Sequence, residues 1–178
     1  MFMSLIQKRR SIRQFQDKPI EPEKIDRLAE AALRAPSSRG FNPWEFVFVT
    51  DRGMLERLSH AKPHGASFLK EAALGIVVCA NPSKSDVWIE DASIATIMIH
   101  LAAESLDLGS CWIQIRERRH DENKMAQDHI RELLNIPNDL QVEAMVAVGY
   151  PAEQKPPHTQ KELQFEKVHH GVYGKAHA

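Results

Sequence analysis

The chain has almost no surplus of charge. Lys and Arg number 23 against 24 Asp and Glu, a formal net charge of -1. No global field therefore draws it to nucleic acid or to an anionic membrane, and any anion site must be local. Cysteine is scarce as well. Cys79 and Cys111 both lie in apolar runs, "GIVVCA" and "GSCWIQI", where reduced structural thiols are found, and this usage points to the cytoplasm. Long apolar runs are missing. "MFMSLIQKRR" has too few apolar residues ahead of its charges for a signal-peptide core, and "ASIATIMIHLAAESL" is broken by polar residues well short of a membrane span. The glycine motifs of resident nucleotides are absent too. There is no G-x-G-x-x-G after a strand, no Walker loop, no G-x-S-x-G elbow and no paired C-x-x-C. These absences exclude a standing dinucleotide domain, an NTPase, a hydrolase elbow and a zinc ribbon.

What is present is a chain of 178 residues, 43% hydrophobic and 26% charged. That is enough to bury one core and reads as a single domain over 1–178. "EPEKIDRLAEAALRA" places Ile25, Leu28, Ala29, Ala32 and Leu33 on one helical stripe behind Pro22. "PSSRGFNP" follows as a loop. "WEFVFVT", "LGIVVCA", "SCWIQI" and "VEAMVAVGYP" read as strands, with helices at "GMLERLSHA" and "ENKMAQDHIRELL" between them. From Ile89 to Leu108 the pattern is apolar on almost every face, so that helix needs cover all round, from a large core or from a second subunit. Strands apolar on both faces and separated by helices require a sheet covered on both sides, in an α/β or α+β fold. The last residues, from about 155 to 178, are polar and Pro-bearing. Phe165, Val168, Val172 and Tyr173 in that stretch are apolar anchors that need a surface.

Nine histidines raise the question of a metal. His60 and His64 have the i, i+4 spacing of two ligands on one helix face, but Pro63 interrupts the turn, and adjacent His169 and His170 point opposite ways if extended. No metal site is assigned. "KRRSIRQF" is a stronger cluster. Arg9, Arg10 and Arg13 carry guanidinium forks suited to phosphate oxygens, and Ser11 adds a hydroxyl. In a helix Arg9 and Arg13 share a face, and in an extended segment Arg9, Ser11 and Arg13 do. Spacing alone leaves a phosphate grip and a solvated helix end equally open. Arg116, Arg118 and Arg119 follow the strand "CWIQI", where ligand loops of such folds lie, although Arg118 and Arg119 read better as solvated. In "APSSRGFNPWEF", Ser37, Ser38, Arg39 and Asn42 offer polar groups that could equally serve turns of their own backbone.

Four stretches, "RRSIRQF", "APSSRGFNPWEFVFV", "EDASIATIMIHLAAESLDLGSCWIQI" and "LLNIPNDLQVEAMVAVGYPAEQKPP", stand in the order seen in the nitroreductase family of FMN-dependent oxidoreductases, which the chain resembles over nearly its whole length. The resemblance implies an α+β fold with a mixed central sheet between helices, in an intertwined homodimer. The stretch from about 155 to 178 would pack on the partner. It also implies FMN at the subunit interface, NADH or NADPH as transient donor, and a small electron-poor acceptor such as a nitro compound or quinone, reduced in ping-pong fashion. By the same resemblance Arg9, Arg10, Ser11 and Arg13 grip the flavin phosphate and ribityl chain. Pro36, Ser37, Ser38, Arg39 and Asn42 of the other subunit lie along the flavin ring. Gln114, Ile115 and Arg116 meet its N5 edge, and Lys161 completes the phosphate site. Two segments depart from the family pattern: in the loop Gly40 and Asn42 stand where many members have Asn and Gln, and after the central strand Arg116 stands where many have Glu or glycines. No side chain is assigned as acid or base, because the flavin carries the chemistry. Reductive dehalogenation, flavin fragmentation, metabolite dehydrogenation and non-catalytic FMN storage are the alternative uses of such a fold.

Overall fold

The computed structural model describes residues 2–175. Five helices, α1 (Phe2–Lys8), α2 (Pro22–Leu33), α3 (Arg52–Ser59), α4 (Trp88–Ser105) and α5 (Ala126–Leu134), surround four strands. The strands are β1 (Trp44–Val49), β2 (Leu74–Ala80), β3 (Gly109–Gln114) and β4 (Gln141–Gly149), in the order β1-β2-β4-β3. The α+β class and the cover on both faces are as expected from the sequence. One face carries Ile76, Val78 and Val146 against Leu28, Ala92 and Ile99 of α2 and α4. The opposite face carries Val77, Ile113 and Met145 against Leu55, Leu69 and Ile130, from α3, the Ser67–Glu71 turn and α5. β2 is buried at every residue, which is why it reads as an unbroken apolar run.

The sheet differs from the mixed one expected, since all pairings between its strands are antiparallel. β2 and β3 do run the same way, joined by the α4 crossover, but β4 inserts between them and pairs with both. Parallel geometry survives in one bridge, Ser11 to Ser110, where the N-terminal arm after α1 runs beside β3. Two glycines seat that arm. A Cβ on Gly109 would stand 2.8 Å from Ile12 Cβ, and one on Gly149 2.9 Å from Phe15 Cδ1, so only bare backbone lets the arm lie this close. Bonds from Ile12 N–H to Ser110 O (3.0 Å), Gln16 N–H to Tyr150 O (2.8 Å) and Ala152 N–H to Gln14 O (2.9 Å) then hold it.

α5 begins four residues later than the apolar periodicity suggests, because Asp121 Oδ1 accepts the N–H groups of Asn123 and Lys124 and closes a turn there instead. α4 buries Ala92, Ala95, Ile99 and Ala103 inward, while Ile94 and Ile97 on its outer side remain 39% and 44% exposed. α1 packs on α4 and shows Phe2, Met3 and Ile6 to the outside as well. Leu163, Val168, Val172 and Tyr173 of the tail are exposed too. Among the described residues no helix is long and apolar enough to cross a membrane.

Candidate functional site

The N-terminal cluster begins where α1 ends, at Lys8. The Arg9 N–H still closes the helix onto Leu5 O, and the arm beyond it pairs with β3 through the Ser11–Ser110 bridge, where successive side chains alternate as in a strand. That alternation puts Arg9, Ser11 and Arg13 on one side, and all three, with Lys155 from the tail, act on the Cys111 thiol: burial raises its pKa, and Arg13, then Lys155, Ser11 and Arg9, oppose the rise. Arg10 falls on the other side. It lines a cavity of about 230 Å³ with Lys8, Ile12, Glu104, Glu153 and Lys155, and donates to the Pro156 carbonyl. The four-residue grip expected from sequence is thus divided three and one by the pleat of the arm. Among the described residues the guanidinium of neither Arg9 nor Arg13 pairs with an acid; Arg13 instead stands 5.8 Å from the Phe68 ring centroid. Two uncommitted forks beside a hydroxyl form a donor set suited to phosphate oxygens.

The arm is fastened from the tail. Glu153 Oε1 accepts the N–H groups of Arg13 (2.6 Å) and Gln14 (3.2 Å), and Lys155 Nζ donates to Ser11 O (2.7 Å) while pairing with Glu153 at 3.1 Å. Neither Glu153 nor Lys155 has a sequence signal, because what brings them here is the β4 exit running beside the arm. Lys161 lies exposed on the tail turn Gln160–Glu162, whose Glu162 carboxyl is lowered chiefly by bonds to Thr159 and slightly by Arg10. Behind the arm, His100 of α4 bonds Ser110 Oγ at 2.7 Å. Burial, aided by the Arg9 charge, pushes its pKa down to about 4, so it is a neutral imidazole at pH 7.

The second group is the loop after α2. Ser37 Oγ accepts the Asn42 N–H (3.0 Å) and donates to Asn42 Oδ1 (2.8 Å), and Ser38 N–H donates to Asp91 Oδ1 at 2.8 Å. Arg39 pairs with Asp86 at 3.1 Å, while Pro36 and Asn42 face solvent. The third group ends β3. Gln114 is occupied at both ends of its amide, by Trp112 Nε1 and by the Arg116 carbonyl, each at 3.0 Å. The Ile115 side chain is fully buried, its N–H donates to Glu143 O and its carbonyl accepts Arg118 N–H. Arg116 is committed to acids, Nη1 to Glu117 at 2.7 Å and Nε to Glu143 Oε2 at 3.0 Å, the latter too far off line for a hydrogen bond. Burial raises the Glu143 carboxyl and Arg116 counters it. These three residues brace the strand end, and Arg116 in particular differs from Arg9 and Arg13 in having its charge spent. Arg118 and Arg119 stand exposed and donate to loop carbonyls, as solvated residues do.

Within one chain the first two groups are far apart. Ser11 lies level with the Leu74–Val148–Ser110 row of the sheet, and the 36–42 loop enters it at the Trp44–Ala80 row. Those rows are six residues of β2 apart, roughly 20 Å, and β1 and β3 are three strand spacings apart, roughly 14 Å. The loop meets α4 at Asp91 in its first turn and the arm meets it at Glu104 in its last, positions roughly 20 Å apart along the helix axis. The two polar groups occupy diagonal corners of the molecule.

A profile described as the nitroreductase family matches residues 6–62 and 53–150. A protein of Archaeoglobus fulgidus, provisionally described as an NADH dehydrogenase/NAD(P)H nitroreductase, is 41% identical over 157 residues, covering 86% of this chain and 87% of its own. The structure of an FMN-dependent nitroreductase from Clostridium difficile R20291 superposes with a TM-score of 0.94 at 45% identity, over 96% of this chain and 99% of that one. A Parabacteroides distasonis protein with the same provisional description as the Archaeoglobus one superposes with a TM-score of 0.87 at 35% identity, over 97% and 98% of the two chains.

Proposed function

The chain belongs to the nitroreductase family, and from that premise we propose that it is an FMN-dependent oxidoreductase that uses NADH or NADPH to reduce small electron-poor acceptors such as nitro compounds or quinones. The observation that carries this is the pair of uncommitted guanidiniums, Arg9 and Arg13, with Ser11 between them on one side of the arm. FMN would supply the redox chemistry, taking hydride from the nicotinamide and giving electrons to the acceptor, the two substrates using the same place in turn. The phosphate falls to Arg9, Ser11 and Arg13, with Lys155 and Glu153 holding the arm that carries them. Arg10 and Lys161 lie on the tail side of that arm and contribute to its charge.

The other face of the flavin falls to Pro36, Ser37, Ser38, Arg39 and Asn42 of a second subunit. Support for two subunits comes from the diagonal placement, because one chain leaves its own loop and arm on opposite corners. The outward apolar residues of α1 and α4 offer the contact surface. The largely exposed tail over residues 156–175 supplies a segment to lie on the partner; residues 176–178 of that stretch lie outside the described residues. Arg116, spent on Glu117 and Glu143, sets the shape of the ring edge.

Anaerobic titration of the purified yellow protein with NADH and with NADPH, followed at the flavin absorption band, is the test. Bleaching by one or both, and recovery on adding a quinone or nitro compound, is expected. Protein that holds FMN but stays yellow with both donors is a storage protein, and the enzymatic reading then fails.

A further inference from the structure

We infer that Asp91 is the positioning residue that holds the Ser37–Asn42 loop in its ligand-facing form; the inference rests on the flavin reading of that loop. Asp91 lies in the first turn of α4 and is 2% exposed. Its two oxygens have separate tasks. Oδ1 accepts the Ser38 N–H at 2.8 Å, and Oδ2 accepts the hydroxyl of Ser85, itself 2% exposed, at 2.8 Å. Among the described residues no cation pairs with it. A carboxylate taken out of water without a counter-charge is costly, and an apolar residue would pack there at less expense. The first-turn N–H groups of α4 offset part of that cost, since the helix dipole favours a negative group at this end.

What the carboxylate secures is a loop that ordinary backbone preferences would not keep. Arg39 and Asn42 have φ of 51° and 46°, in the left-handed region where non-glycine residues are uncommon. Three ties hold them there: Asp91 to Ser38, Arg39 to Asp86, and Ser37 to Asn42. Of these, Asp91 supplies the one anchored in the core. The Ser37 hydroxyl engages Asn42 Oδ1, which leaves the Nδ2 hydrogens of this exposed residue as the donors for a ligand, suited to a carbonyl oxygen or ring nitrogen. Asp91 therefore acts through Ser38 on Asn42 and touches no ligand itself.

FMN titration of the full-length apoprotein by fluorescence quenching, with thermal unfolding of each apoprotein alongside, tests this. Asp91→Ala removes both acceptors and should weaken FMN binding by about tenfold or more. Asp91→Asn should stay within about threefold of wild type, because its oxygen still accepts Ser38 N–H while its amide donates to a rotated Ser85 hydroxyl. Ser85→Ala should fall between them, and it carries the test if Asp91→Ala does not fold. Asp91→Ala and Ser85→Ala proteins that bind FMN as wild type does would overturn the inference, even if they melt earlier. So would an Asp91→Asn protein as weak as Asp91→Ala.

Mixing Asp91→Ala with Arg13→Ala chains adds a readout that a purely structural role does not move. A mixed dimer joins the intact arm of one chain to the intact loop of the other at one of its two sites, so FMN binding should return to about half the wild-type content in the isolated mixed dimer and about a quarter in the equimolar mixture. Mixed dimers that bind no FMN sink the inference. Wild-type protein that takes up no FMN overturns the flavin reading and this inference with it, whereas wild-type uptake beside an indifferent Asp91→Ala overturns the inference alone.

Discussion

Gly109 and His100 show how single residues set the arm. At Gly109 the missing side chain is the requirement: a methyl would meet Ile12 Cβ and Cγ2 at 2.8 Å, and neither is the far end of a flexible side chain. Gly109→Ala is expected to lower the unfolding free energy by about 1–3 kcal/mol, the usual cost of overpacking, with the urea m-value unchanged. An unchanged denaturation midpoint would mean the arm simply moves aside. His100 acts through protons. Its folded pKa of about 4 lies below its ordinary value of 6.5, so between those values the unfolded chain holds more of the proton. Its contribution to stability is whole above pH 6.5, fades as pH falls toward 4, and amounts to roughly 3 kcal/mol at most. Denaturation of wild type and His100→Asn from pH 7 to 4 checks this. The wild type should lose more stability over the range, and parallel curves would remove His100 as the cause.

Among the elements, α2, α4 and all four strands were legible because their burial follows their apolar spacing. α1 and the arm were not. "FMSLIQKRRSIRQF" packs only a few residues inward and changes from helix to extended chain past Arg9, a change fixed by contact with β3 and the tail rather than by local preference. That is why the sequence left a helical and an extended reading of the arginines open, and why Arg10 stayed grouped with residues it faces away from. The site's acids were hidden for the same reason. Glu153, Glu143 and Asp91 are recognisable only from what lies against them, although one acid among the small residues of the α4 inner stripe was a signal for Asp91. Glu153 ties two elements at one point. Glu153→Ala should release the arm, seen as faster amide exchange at Arg13 and Gln14 while β2 and β4 stay protected. Equal protection in mutant and wild type would show that the arm is held by its glycine seat instead.

At the scale of the whole molecule, most of the exposed large apolar residues, Leu33 and Phe41 apart, lie on α1, the outer side of α4 and the tail, beyond what scattered surface leucines explain. The proposed dimer places its contact there. Ile94→Glu with Ile97→Glu puts two carboxylates on positions that water already reaches in the single chain, so folding should survive while association fails. Sedimentation should show a dimer for wild type and a folded monomer for the double variant; an undisturbed dimer would move the interface elsewhere.

The diagonal placement of arm and loop has a thermodynamic consequence. If a ligand is held by one corner of each of two chains, its binding and their association draw on the same free energy and must strengthen each other equally. The flavin would then act as a reversible crosslink. Dilution would strip colour from the protein, added FMN would keep the chains together at concentrations where the apoprotein falls apart, and the cell's free FMN would set how much of the protein exists in its paired form.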